Sequence, residues 1–229
     1  SFGLYQRIRL ANNRNDDEAV KNFLFTSMFN TLAPRRFARL KNADEETFIA
    51  ASVSLSPLVR GFAQVAWDVV PYANKAQQAM EQLLNVRAAM ANGGFSKQEF
   101  EAEKGKMYQG MKEALEANGL GTPDNVFGLM KQNFVYGTPI TDFRQQIQRN
   151  IEVLVEQEVE DFNTWIAKLF TPNNLAFITY ERTPGELNIT QTNFLTALAN
   201  SEKPQVAMAQ DNSTPAKLDL SHIVAGKIV

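Results

Sequence analysis

With 229 residues, 44% of them hydrophobic and 21% charged, the chain has the composition of a globular protein with room for a sizeable core. A formal net charge of -2 excludes a general affinity for nucleic acid or acidic membranes, because both need a clear basic excess. The absence of cysteine excludes disulfides, thiolate zinc sites and cysteine nucleophiles, and leaves the compartment open.

The segment 3–10 (GLYQRIRL) alternates weakly and predicts a strand, placed near a sheet edge by the polar Gln6, Arg7 and Arg9. Because the chain opens at Ser1 without a methionine or signal peptide and reaches this strand almost at once, it reads as a piece of a longer protein. Asn15 is a good N-cap, and Asp16, Asp17 and Glu18 place negative charge where the helix dipole favours it. Val20, Phe23, Leu24, Met28, Phe29 and Leu32 then recur at spacings of three and four, predicting a long helix with one wide apolar stripe. Pro34 lies inside that pattern and predicts a kink or break.

Two strands follow. Ile49, Ala51, Val53 and Leu55 alternate with Ala50, Ser52 and Ser54; beyond a turn at 57–61, Ala63, Val65, Trp67 and Val69 alternate with Gln64, Ala66 and Asp68. A period of two on both sides of a Pro/Gly turn predicts an antiparallel hairpin with one buried face, on which the long helix lies.

Asn74 is placed to cap a helix that buries Ala76, Met80, Leu83, Leu84 and Met90 and ends at Asn92, Gly93 and Gly94. Ser96, with Glu99 three residues on, makes a capping box for the next helix, whose stripe is Phe100, Met107, Met111 and Leu115. Gly105 and Gly110 either weaken that helix or allow close packing. Thr122 and Pro123 open a further helix with Val126, Phe127, Met130 and Phe134 turned inward. Two shorter helices pass through Phe143 and Ile147, and through Val159, Phe162, Ile166 and Leu169. A strand at 175–180 and a last helix around Phe194, Leu195 and Leu198 complete the folded part. From 203 onward Pro, Gln, Asn, Ser and Thr dominate, so 1–202 reads as the folded unit and 203–229 as a linker. Few strands and consecutive helices indicate an α+β fold with helices packed on an antiparallel-rich sheet.

The chemistry is limited. His222 is the single histidine and falls in the linker, so the chain contains neither a two-histidine zinc motif nor the pieces of a Ser-His-Asp triad in its folded part. No phosphate-binding glycine motif occurs. The acidic run Glu152, Glu156, Glu158, Glu160 and Asp161 lacks the turn glycine of a calcium loop and reads as a solvated helix face. Arg35, Arg36, Arg39 and Lys41 have the chemistry to hold a phosphate or carboxylate, but read rather as the solvated C-terminal end of the kinked helix, where cations suit the dipole. No residue is assigned a catalytic, substrate-binding or metal-ligating role from these patterns.

Three stretches carry a resemblance: 23–40 (FLFTSMFNTLAPRRFARL), 47–70 (TFIAASVSLSPLVRGFAQVAWDVV) and 79–107 (AMEQLLNVRAAMANGGFSKQEFEAEKGKM). The most specific piece is Gly94, Phe95 and Ser96 followed by Glu99, Phe100 and Glu103, and 169–180 (LFTPNNLAFITY) adds to it. Together they resemble the non-catalytic C-terminal-type half-domain of pitrilysin/insulinase metallopeptidases, above all the periplasmic bacterial members. The terminal SHIVAGKIV is similar to the linker that joins the halves of long members. The resemblance implies a parent zinc metalloendopeptidase, periplasmic or secreted, that encloses peptides between half-domains of one chain. Its zinc would sit in another half-domain, in an inverted H-x-x-E-H motif absent here. Active C-terminal half-domains of insulinase-like enzymes use an arginine and a tyrosine at the substrate carbonyl. The corresponding region is 39–48, where Phe48 lacks the hydroxyl, so that role is not carried over. The alternative implied by the same family is an inactive relative serving as an interaction or assembly module. An unrelated domain that binds a small molecule would instead require a large apolar pocket.

Overall fold

The computed structural model describes residues 1–9, 17–40, 46–59, 61–117, 123–136, 140, 142–171 and 173–202. The Asn15 cap, Lys41, Thr122 and the linker with His222 lie outside the described residues.

Four strands, β1 (Phe2–Arg9), β2 (Phe48–Val59), β3 (Phe62–Pro71) and β4 (Leu175–Thr179), form one antiparallel sheet in the order β2-β3-β1-β4. The predicted hairpin is β2–β3, with Val53 opposite Trp67 and Leu55 opposite Val65. On the other side of β3, Leu4 faces Trp67, so Val53, Trp67 and Leu4 form one buried row across three strands. Helix α1 (Asp17–Leu40) lies on this face. It buries Leu24, Phe25, Met28, Phe29, Leu32, Ala33 and Phe37, each large side chain contributing roughly 1.5–3 kcal/mol of transfer free energy.

The other helices are α2 (Ala76–Gly93), α3 (Lys97–Glu116), α4 (Pro123–Tyr136), α5 (Phe143–Glu156), α6 (Val159–Leu169) and α7 (Gln191–Ser201). Aromatic rings join the layers. Trp67 meets Phe37 at 5.8 Å and Phe170 at 5.7 Å, linking sheet to helix, while Phe162 of α6 meets Phe25 of α1 at 5.2 Å and Phe95 at 5.5 Å. The α+β class holds, as does the capping box: the Ser96 hydroxyl accepts from the Glu99 N–H and the Glu99 carboxylate accepts from the Ser96 N–H.

Several local expectations are corrected. β1 is an interior strand, paired on both sides, because Gln6 turns inward fully buried and donates to the Thr171 carbonyl at 2.8 Å. α1 runs through Pro34 without a break. Phe23 lies outside its buried stripe, 61% exposed, and Phe25 is buried instead. Ile49 points outward because a register shift between Phe48 and Ala50 inserts one extra residue and turns Phe48 to the core. Asn74 adopts a positive φ of 62° in the approach to α2, whose N-cap is Lys75. No heavy atom approaches within 4 Å of a Cβ built at Gly105 or Gly110, so close packing is not their role.

The largest departure is α4. Val126, Phe127, Met130 and Phe134, the predicted inward face, are exposed, Phe127 by 70% and Phe134 by 86%. Helical periodicity reports that an apolar face exists and says nothing of what covers it.

Candidate functional site

The basic cluster is brought to the start of α3, which its neighbours in sequence do not suggest. Glu99 is the centre. One carboxylate oxygen accepts from Arg36 at 3.0 Å and the other from Arg39 at 2.9 Å, while Arg35 donates to Glu103 at 3.0 Å. Arg36 is only 4% exposed, donates also to the Gly94 carbonyl, and lies over the Phe95 ring at 4.9 Å. These arginines therefore lock α1 to α3; neither the anion-site reading nor the solvated-end reading describes them. The acidic run is exposed at Glu152, Glu156, Glu158 and Glu160, but it is split between α5 and α6, where Asp161 caps α6 and faces Lys21 at 3.5 Å.

A second polar layer lies beneath β1. Arg87 of α2, 3% exposed, donates to the Gln6 carboxamide oxygen at 3.3 Å and to the Thr171 carbonyl at 2.9 Å. Burial lowers its pKa from the usual arginine range, partly offset by the Glu202 charge. This layer fixes α2 to the sheet and to the turn before β4.

One surface cleft of about 360 Å³ lies between α2 and α7. Gln77, Glu81 and Asn85 line one wall, and Thr192, Asn193, Thr196, Ala197 and Asn200 the other. It is polar, unlike the large apolar pocket that an unrelated small-molecule-binding domain requires. Sequence reasoning missed these residues; the available signal was the polar i, i+4, i+8 stripe on the exposed side of α2.

The whole chain has one histidine and no cysteine, and among the described residues no group of three His, Cys, Asp or Glu side chains converges to hold a metal ion. Among the described residues no helix is long and apolar enough to cross a membrane.

No family model matches the sequence, and no curated protein matches it. Solved structures do match. The first half of the periplasmic protease PqqL from Escherichia coli superposes with a TM-score of 0.76 at 14% identity, over 91% of this chain and 45% of that one. The complete PqqL gives a TM-score of 0.77 at 14% identity, over 94% of this chain and 24% of that one. The fold is that of an insulinase-type half-domain. A predicted insulinase family protease from Yersinia pestis agrees, with a TM-score of 0.69 at 11% identity over 88% of this chain and 44% of that one. The chain thus spans less than half the length of each of these structures. Within this fold, the segment 94–103 that carries the sequence resemblance is the one whose cap and carboxylates hold α1.

Proposed function

We propose that the chain is a substrate-enclosing, non-catalytic half-domain of a zinc-dependent metalloendopeptidase acting on peptides. The observation that carries this reading is the superposition on the first half of PqqL, described as a periplasmic protease, by a sequence whose single histidine cannot make the H-x-x-E-H pair. In this reading the zinc, the activating glutamate and the cleavage step belong to another half-domain of the same protein. This half-domain contributes a rigid wall: the Glu99 ion pairs and the Arg87 layer hold helices and sheet in one geometry, so that peptide is confined rather than cut here. Its partners are the other half-domains and the enclosed peptide, and the periplasm is the compartment that PqqL suggests.

The assembly-module reading is favoured by one specific feature, the exposed apolar face of α4 with Phe127, Met130 and Phe134. The complete reading frame around this sequence decides between the two. An H-x-x-E-H helix with a downstream glutamate supports the peptidase. Flanking half-domains that lack those ligands make the protein an assembly or binding module and overturn it.

A further inference from the structure

We propose that the cleft between α2 and α7 is a peptide subsite that grips the main chain of an extended segment, independent of its side chains; this rests on the enclosing-wall reading above. On α2, Gln77, Glu81 and Asn85 recur every fourth residue, and on α7 Asn193, Thr196 and Asn200 face them. The walls therefore present carboxamides and hydroxyls as two parallel ladders. Eight residues of helix span about 12 Å, which matches three to four residues of extended chain.

The chemistry of the lining selects the ligand. Glu81 is the single charged residue among those named, so the cleft has nothing to neutralise a phosphate or polyanion. It has no aromatic side chain, so flat rings find no stacking surface. What it offers is paired donors and acceptors, the complement of a peptide group with one N–H and one C=O. The same chain shows this pairing twice. Asn30 bonds both the N–H and the C=O of Leu55, at 2.7 and 2.9 Å, and Asn163 bonds both the N–H and the C=O of Phe95, at 2.8 and 2.9 Å. Asn193 donates across the cleft to Gln77 at 3.4 Å, and along α2 Gln77 donates to Glu81 at 3.2 Å; both are long bonds, which an entering peptide exchanges for better ones.

The test uses the 229-residue chain, isotopically labelled, with an acetylated and amidated hexapeptide of glycine, serine and alanine. A second probe is the same hexapeptide with its backbone nitrogens methylated, and a third is maltohexaose. Nuclear magnetic resonance of the side-chain amides is expected to show saturable shifts at Gln77, Asn85, Asn193 and Asn200 with the first probe and none with the other two. The double variant Gln77→Leu, Asn85→Leu, checked for an otherwise unchanged spectrum, should weaken binding by about tenfold or more, as loss of two hydrogen bonds implies. Shifts confined to another surface, equal shifts with the methylated peptide, or shifts with maltohexaose alone overturn the proposal. None of those results bears on the enclosing-wall reading, which is decided by where the zinc motif and the cleavage activity lie.

Discussion

The Asn30 carboxamide donates to the Leu55 carbonyl at 2.9 Å and accepts from the Leu55 N–H at 2.7 Å, so a side chain of α1 takes the place of a neighbouring strand. β2 is an outer strand of the sheet, and an open edge of this kind invites pairing with other chains. Two residues further on, Pro57 has no N–H to offer on the same edge. Asn30→Ala should cost about 1–2 kcal/mol, since both Leu55 groups lose a partner. Asn30→Asp should cost at least as much, because it sets a carboxylate against the Leu55 carbonyl. Urea unfolding of the variants measures both, and light scattering should show increased self-association for Asn30→Ala.

Glu99 serves two purposes at once, closing the cap of α3 and facing Arg36 and Arg39. Both partners of the Arg36 pair are under a tenth exposed. Removing the carboxylate by Glu99→Ala takes from the buried Arg36 guanidinium its Glu99 partner at 3.0 Å, and the expected loss is about 3 kcal/mol. Glu99→Gln keeps an acceptor for the Ser96 N–H and should lose less. Equal losses in thermal unfolding would show that the charge pairing alone matters and that the cap adds nothing.

Gly94 sits at φ 61° and ψ -148°, a region that essentially only glycine occupies. A Cβ there would also collide with the Asn163 carboxamide, the group that clamps Phe95. Gly94→Ala should therefore destabilise by about 2 kcal/mol or more, above the strain term of roughly 1–3 kcal/mol taken at its low end. Combining it with Asn163→Ala should remove the collision and give a double variant less destabilised than the sum of the two single ones.

On the open face of the sheet, Tyr5 lies across Gly3 and donates its hydroxyl to Asp68 at 2.6 Å. That hydrogen bond, and a second one with Tyr180, raise the Tyr5 pKa above its ordinary value of 10.0. The neutral phenol is the form the fold favours. Its contribution is complete below about pH 10, the unfolded value, and is lost as pH rises through the higher folded value. Stability should fall from about pH 9 to about pH 11 in the natural chain and less steeply in Tyr5→Phe, read by urea midpoints alongside phenolate absorbance.

Legibility in the sequence followed the range of the interactions. The β2–β3 hairpin, the Ser96–Glu99 box and the buried stripe of α2 depend on residues within a few positions of one another, and local periodicity and capping chemistry report them. The arginine cluster depends on Glu99 and Glu103, sixty or more residues away, so local periodicity reports only cations at a helix end. The interior place of β1 hinges on Gln6, a polar residue made acceptable inside by Thr171 and Arg87. For Ile49 one extra residue reversed the face, which a strict period of two cannot anticipate. The cleft between α2 and α7 was invisible because its two walls lie over a hundred residues apart.

In the proposed division of labour this half-domain encloses peptide and leaves cleavage to another part of the same protein. The most direct measurement compares the complete translation product with the 229-residue chain on a quenched fluorescent peptide library, with and without a zinc chelator. The expected result is chelator-sensitive cleavage by the complete product and none by the chain alone. Chelator-sensitive cleavage by the chain itself, or a complete product that binds peptides but never cuts them, would contradict it.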